Sequence, residues 1–89
     1  MEIIFDQEKN RINIEKHGLS FDLVQSCDWS DPVIFTDDRN NYGEIRYNAF
    51  VLLDARLHNV VFTNRDENMR VISFRKANLR ERKKYEKIH

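Results

Sequence analysis

Apolar residues gather in short runs set between polar stretches, and the spacing changes character near the middle of the chain. Glu2 to Phe5 reads as a brief first strand. Asp6 suits the N-cap of a helix running to His17, where Lys16 and His17 complement the negative end of the helix dipole. Gly18 fits the left-handed residue that closes such a helix. Ser20 is positioned to cap a second helix, with Leu19 and Val24 as its hydrophobic staple. That helix is expected to fade between Asp28 and Ser30, and Pro32 to open an extended segment reaching Thr36.

A polar loop follows from Asp37 to Gly43. Beyond it the pattern shifts to β-rich runs at Glu44–Leu53, Asn59–Arg65 and Met69–Arg75. The connections Asp54–His58 and Asp66–Asn68 are short and polar, as antiparallel hairpins require. Asn78 with Glu81 three residues on is a capping-box pattern opening a last helix to about Lys87. The order predicts an α+β fold: an antiparallel sheet with two N-terminal helices and a C-terminal helix, in one domain over residues 1–89.

Alternation along the strands sorts the side chains by face. With Val60, Phe62, Ile72 and Phe74 turned inward, the other face collects Glu44, Arg46, Asn48, Thr63, Arg65, Ser73 and Arg75. Arg70 falls on the Phe74 side and ranks below the other arginines. A carboxylate among guanidinium groups suits RNA cleavage without a metal. A base takes the 2′-hydroxyl proton, the oxygen attacks phosphorus, and planar guanidinium groups hold the charge that develops. Arginine stays protonated, so Glu44 or a histidine must supply the base. A solvated sheet face with cross-strand ion pairs would use the same residues, and alternation alone does not choose between them.

Composition narrows the class. The chain has 89 residues with 40% apolar and 34% charged side chains, and its apolar residues cluster, which argues against general disorder. Cys27 is the only cysteine, so neither an internal disulfide nor a cysteine metal cluster is expected, and no metal-ligand spacing is found. No apolar run approaches the ~20 residues of a membrane helix, and no signal peptide is read, so a cytoplasmic protein without cofactors is expected. The zero net charge hides a division: residues 1–44 carry ten acids and four bases, residues 45–89 five acids and eleven bases. Lys76, Arg80, Lys83 and Lys84 belong to this basic end, which attracts polyanions or an acidic protein; a solvated helix end has the same composition. Trp29, Leu79, Tyr85 and Ile88 read as packing residues. His17 is a weighable catalyst at a helix end, whereas His58, placed in a hairpin turn, and His89 read as bystanders.

Asp6, Lys9, Asn13, Lys16-His17-Gly18 and Ser20-Phe21 resemble the amino-terminal signature of the BrnT toxin family. Asp31-Pro32 and Gly43-Glu44-Ile45-Arg46 resemble its middle segments, and Arg70 to Ala77 with Glu81-Arg82 and Tyr85 its carboxyl-terminal signature. Phe5 and Phe74 depart from the family pattern, which has Trp or Tyr and a small residue there. The resemblance implies a ribonuclease toxin with a fold similar to RelE that inhibits translation. It also implies neutralisation by a BrnA antitoxin whose DNA-binding part is similar to ribbon-helix-helix repressors, the complex binding its own operator DNA. Lys16, His17, Glu44, Arg46, Arg65, Arg70 and Arg75 are the polar positions it associates with activity or structure. A catalytically silent partner of such a repressor, or an interaction domain for an acidic protein, are the other readings.

Overall fold

A computed structural model of the chain describes residues 2–37 and 43–89; most of the expected Asp37–Gly43 loop therefore lies outside the described residues. The elements are β1 (Ile3–Ile4), α1 (Gln7–His17), a 3-10 helix (Phe21–Ser26), β2 (Asp28–Asp37), β3 (Arg46–Leu53), β4 (Arg56–Arg65), β5 (Asn68–Lys76) and α2 (Leu79–Ile88). Five strands form one sheet in the order β1-β5-β4-β3-β2. Strands β2 to β5 are an antiparallel meander, but β1 joins β5 in parallel, so the α+β sheet is mixed rather than wholly antiparallel.

Helix α1 begins and ends as its sequence dictates. The Asp6 carboxylate accepts the Lys9 amide, and Gly18 takes φ 72° while its amide reaches the Ile14 carbonyl. Its docking is unusual, because its buried residues are Asn10 and Asn13 while Ile12 and Ile14 stay exposed. The Asn13 amide donates to the Phe74 and Leu19 carbonyls and accepts the Phe74 N–H, at 2.8, 2.9 and 3.2 Å. That side chain thus does for β5 what a neighbouring strand would do, satisfying backbone groups at the sheet edge. Asn10 accepts the Phe21 amide at 2.8 Å and so fixes the start of the 3-10 helix.

The second expected helix is this six-residue 3-10 segment. The Ser20 cap forms, but the chain turns into β2 at Asp28, and the Trp29 indole closes the segment by donating to the Val24 carbonyl. Pro32 lies not at the start of β2 but inside the irregularity between its Asp28 and Val33 pairings, where an edge strand tolerates a missing N–H.

Both hairpins turn on two residues. Asp54-Ala55 and Asp66-Glu67 all have positive φ, the backbone that matches the right-handed twist of the strands. The first turn is thus shorter than the expected Asp54–His58 connection, and His58 lies within β4, buried at 3% exposure against Phe74. A bulge between the Val61–Ser73 and Phe62–Val71 pairs leaves Ile72 as the extra residue of β5. Val71 and Phe74 consequently point into the core, and Ile72 does not. Arg70, paired with Thr63, moves to the face that also carries Arg75, correcting the expected placement.

The main core lies on one side of the sheet, where Leu19, Phe21, Val24, Ala49, Val51, Val60, Phe62, Val71 and Phe74 meet. On the other side Phe50, Leu57 and Ala77 form a smaller cluster with Tyr85 of α2. This second face is therefore half covered by α2, and its remaining half holds the polar residues.

Candidate active site

The strand registers set out the polar half of that face. Asp37 pairs with Arg46 across β2 and β3, Asn48 with Val61 across β3 and β4, and Asn59 with Arg75 across β4 and β5. Residues that pair directly share a face. Together with Phe35, Ser73 and Ile72, and with Glu81 reaching in from α2, they line a cleft of about 580 Å³. Two guanidinium groups, Arg46 and Arg75, look into it. Asn59 is fully buried and donates to Asn48 at 3.2 Å, which stiffens the floor.

Arg75 is held by α2. Its two terminal nitrogens donate to the two Glu81 oxygens at 2.8 and 2.9 Å, and one of them also reaches the Lys76 carbonyl at 3.2 Å. Hydrogen bonding from Arg75 holds the Glu81 carboxyl below the usual carboxylate range despite partial burial. Glu81 is the N3 residue of the capping box: its Oε1 accepts the Asn78 amide, and its own amide donates to Asn78 Oδ1.

Glu44 stands elsewhere. It contacts Arg65 at 3.5 Å and Arg46 at 3.8 Å, on the cleft's side of the sheet but outside its lining. Arg65 and Asn59, the β4 residues that mark the Glu44 and Arg75 levels, are six steps apart, or about 20 Å of strand. Glu44 and Arg75 therefore do not form one cluster. Among the described residues Asp37 and Glu81 are the carboxylates that line the cleft, and the face pattern omits both because Asp37 falls at the start of the expected loop and Glu81 sits on a helix.

His17 approaches from the other side of β5. Asn13 is fastened to Phe74, so His17, one turn further along α1, comes within electrostatic reach of Arg75. His17 is exposed, yet partial desolvation first, then the charges of Lys16 and Arg75, lower its pKa from the ordinary value, which favours the neutral imidazole at pH 7. Lys16 is exposed beside it. Arg80, Lys83, Lys84 and Lys87 recur at helical spacing along one exposed strip of α2 beside Leu79, while Lys76 lies apart at the end of β5 near His58. Arg65 is half exposed at the Glu44 end, and Arg70 lies between these two groups along β5.

Cys27 is buried and its thiol is pushed up to about 11 by desolvation, so it is no nucleophile at neutral pH. Among the described residues no three His, Cys, Asp or Glu side chains are grouped to hold a metal ion. Among the described residues no helix is long and apolar enough to cross a membrane.

No curated protein matches the chain. A family model described as the ribonuclease toxin BrnT of type II toxin–antitoxin systems matches residues 5–81, from the residue before the α1 cap to the Glu81 that grips Arg75. The match spans β2 to β5, both Asn docking residues and every residue of the cleft, and membership in such a system implies an antitoxin partner. The chain belongs to the BrnT family of ribonuclease toxins.

Proposed function

We propose that this protein is an endoribonuclease that cleaves RNA in the cytoplasm without a metal and thereby inhibits translation. The observation that carries the reading is the pair of guanidinium groups, Arg46 and Arg75, turned into one cleft with a neutral histidine in reach of Arg75. Arg75 and Arg46 bind the scissile phosphate and stabilise its transition-state charge. His17 takes the proton of the 2′-hydroxyl, the oxygen bonds to phosphorus, and the 5′-oxygen leaves with a proton from solvent. The His17 assignment displaces Glu44 as the base because Glu44 is engaged by Arg65 and Arg46 outside the cleft lining, at the end of the sheet away from Arg75. Arg65 and Arg70, with Lys16 and Lys76, extend a path for the RNA backbone beyond the cleft.

The strip of Arg80, Lys83 and Lys84 on α2 holds RNA or docks the antitoxin, and competition between the two accounts for neutralisation. The antitoxin is expected to be BrnA-like, with a ribbon-helix-helix part through which the complex binds operator DNA.

The test is inducible expression with and without the adjacent reading frame, together with cleavage of RNA by purified protein. Growth arrest relieved by the neighbour is expected. His17→Ala and Arg75→Ala should each lower cleavage by about 10²-fold or more, while Glu44→Ala stays within about threefold, the size of a surface change. The opposite ranking of His17 and Glu44 would return the base to Glu44. Unchecked growth with tight binding of the neighbour's product would instead fit a catalytically silent partner.

A further inference from the structure

The phosphate-binding arginine of the proposed site does not stand alone. Arg75 is fixed at three points: two Glu81 oxygens and the Lys76 carbonyl. The side chains are substantially enclosed, with Arg75 32% and Glu81 19% exposed. Two parallel N–H···O bonds define the guanidinium plane as well as its position, which a single contact does not. Glu81 in turn has little freedom of its own. The same Oε1 that meets Arg75 accepts the Asn78 amide at 2.9 Å, and the Glu81 amide is tied to Asn78 Oδ1 at 2.8 Å. Helix α2 is then pinned to the sheet further along by Tyr85 against the Phe50–Leu57 cluster, and at its end by His89, 2.8 Å from Asp31 of β2.

From this we infer that Glu81 is a positioning residue: through its two-oxygen grip it orients the Arg75 guanidinium in the cleft. The inference rests on the ribonuclease reading of that cleft. A guanidinium already aligned costs nothing to reorganise as negative charge builds on the phosphate, so its loss appears in the chemical step more than in binding.

The experiment separates this role from a merely structural one. Glu81→Gln keeps an acceptor for the Asn78 amide, since Gln serves in a capping box, but loses the charge and the two-oxygen grip. Asn78→Ala removes the cap and leaves the grip. With purified full-length protein and a short RNA, Glu81→Gln should lower kcat at least tenfold with KM within twofold and little change in Tm. Asn78→Ala should lower Tm by several degrees with kcat within twofold. The two terminal nitrogens of Arg75 should give separate ¹⁵N signals in the wild type and averaged ones in Glu81→Gln.

Unchanged or increased kcat in Glu81→Gln would overturn the inference, as would equal kcat losses in both variants. If Glu81→Gln does not fold, Glu81→Asp, which keeps the charge on a shorter stem, should show the same kcat loss at smaller size; wild-type kcat there counts against it. Wild-type protein that cleaves no RNA would defeat the ribonuclease reading instead. The Arg75 signals alone then decide whether Glu81 holds the guanidinium, with unchanged signals in Glu81→Gln overturning the grip.

Discussion

Two histidines have their pKa lowered by their surroundings, and each gives a pH dependence of a different kind. His17 is depressed by partial desolvation, then by the charges of Lys16 and Arg75. As a base it works only when neutral, so cleavage should fall as pH drops through a midpoint below 6.5, its ordinary value. Lys16→Ala removes one of the depressing charges and should move the acid limb of the kcat profile upward; an unmoved limb would sever His17 from that limb. His58 acts on stability instead. Burial lowers its pKa, helped by the charges of Arg56 and Lys76 and opposed by the Arg56 carbonyl and by Asp54. Its folded pKa is thus below its unfolded one, so its contribution is intact above pH 6.5 and is lost as pH falls below that value. His58→Phe, placing a ring against Phe74, should flatten the decline of Tm between about pH 7 and 5.

These residues also show what a sequence can disclose. The capping residues Asp6, Gly18, Ser20 and Asn78 were legible because a cap is chemistry within four residues of its own helix. Asn10 and Asn13 were not, because a helix is expected to dock by an apolar stripe, and here two amides replace it.

At the scale of elements, the hairpins carry the next expectation. Ala55 holds φ 61°, a conformation that side chains with a Cβ adopt at a cost and glycine adopts freely. Ala55→Gly should therefore stabilise the protein by about 0.5–1 kcal/mol, raising Tm by a few degrees with cleavage unchanged. Lower Tm would show that the greater freedom of the unfolded glycine outweighs the strain removed. The same turn explains an error of reading. Asp-Ala lacks the Gly or Asn that marks a two-residue hairpin, so the sequence pattern extends the loop to His58, a residue that the structure buries within β4. The bulge at Ile72 had a similar effect. Val71-Ile72-Ser73-Phe74 gives no clean alternation, and one inserted residue exchanged the faces of Val71, Ile72 and Arg70. The membership of Arg46, Asn48, Ser73 and Arg75 on one face survived because they stand where β3 and the end of β5 run regularly. Glu81 could be found only through the tertiary placement of α2.

Over the whole molecule, charge is sorted along the chain and the sorted halves do different work. The acidic half supplies α1 and β2, and the basic half supplies the cleft arginines and the strip on α2. Binding of RNA should weaken steeply with salt, because each phosphate neutralised by a lysine or arginine releases counterions. Replacing Arg80, Lys83 and Lys84 together by alanine should reduce the slope of log K against log salt by about two units for single-stranded RNA. A slope unchanged from wild type would remove α2 from the RNA path and leave its strip to the antitoxin.

The two rims of the sheet are unequal. On one side β1 is two residues long and α1 lies against β5, with Asn13 occupying the backbone of Phe74. On the other, β2 runs ten residues with Ile34 and Phe35 exposed, and among the described residues only β3 pairs with it. A fibril needs an adhesive margin at both ends of each subunit, and this molecule offers one. Copies that meet by strand addition can therefore join only β2 to β2, and growth halts at a pair.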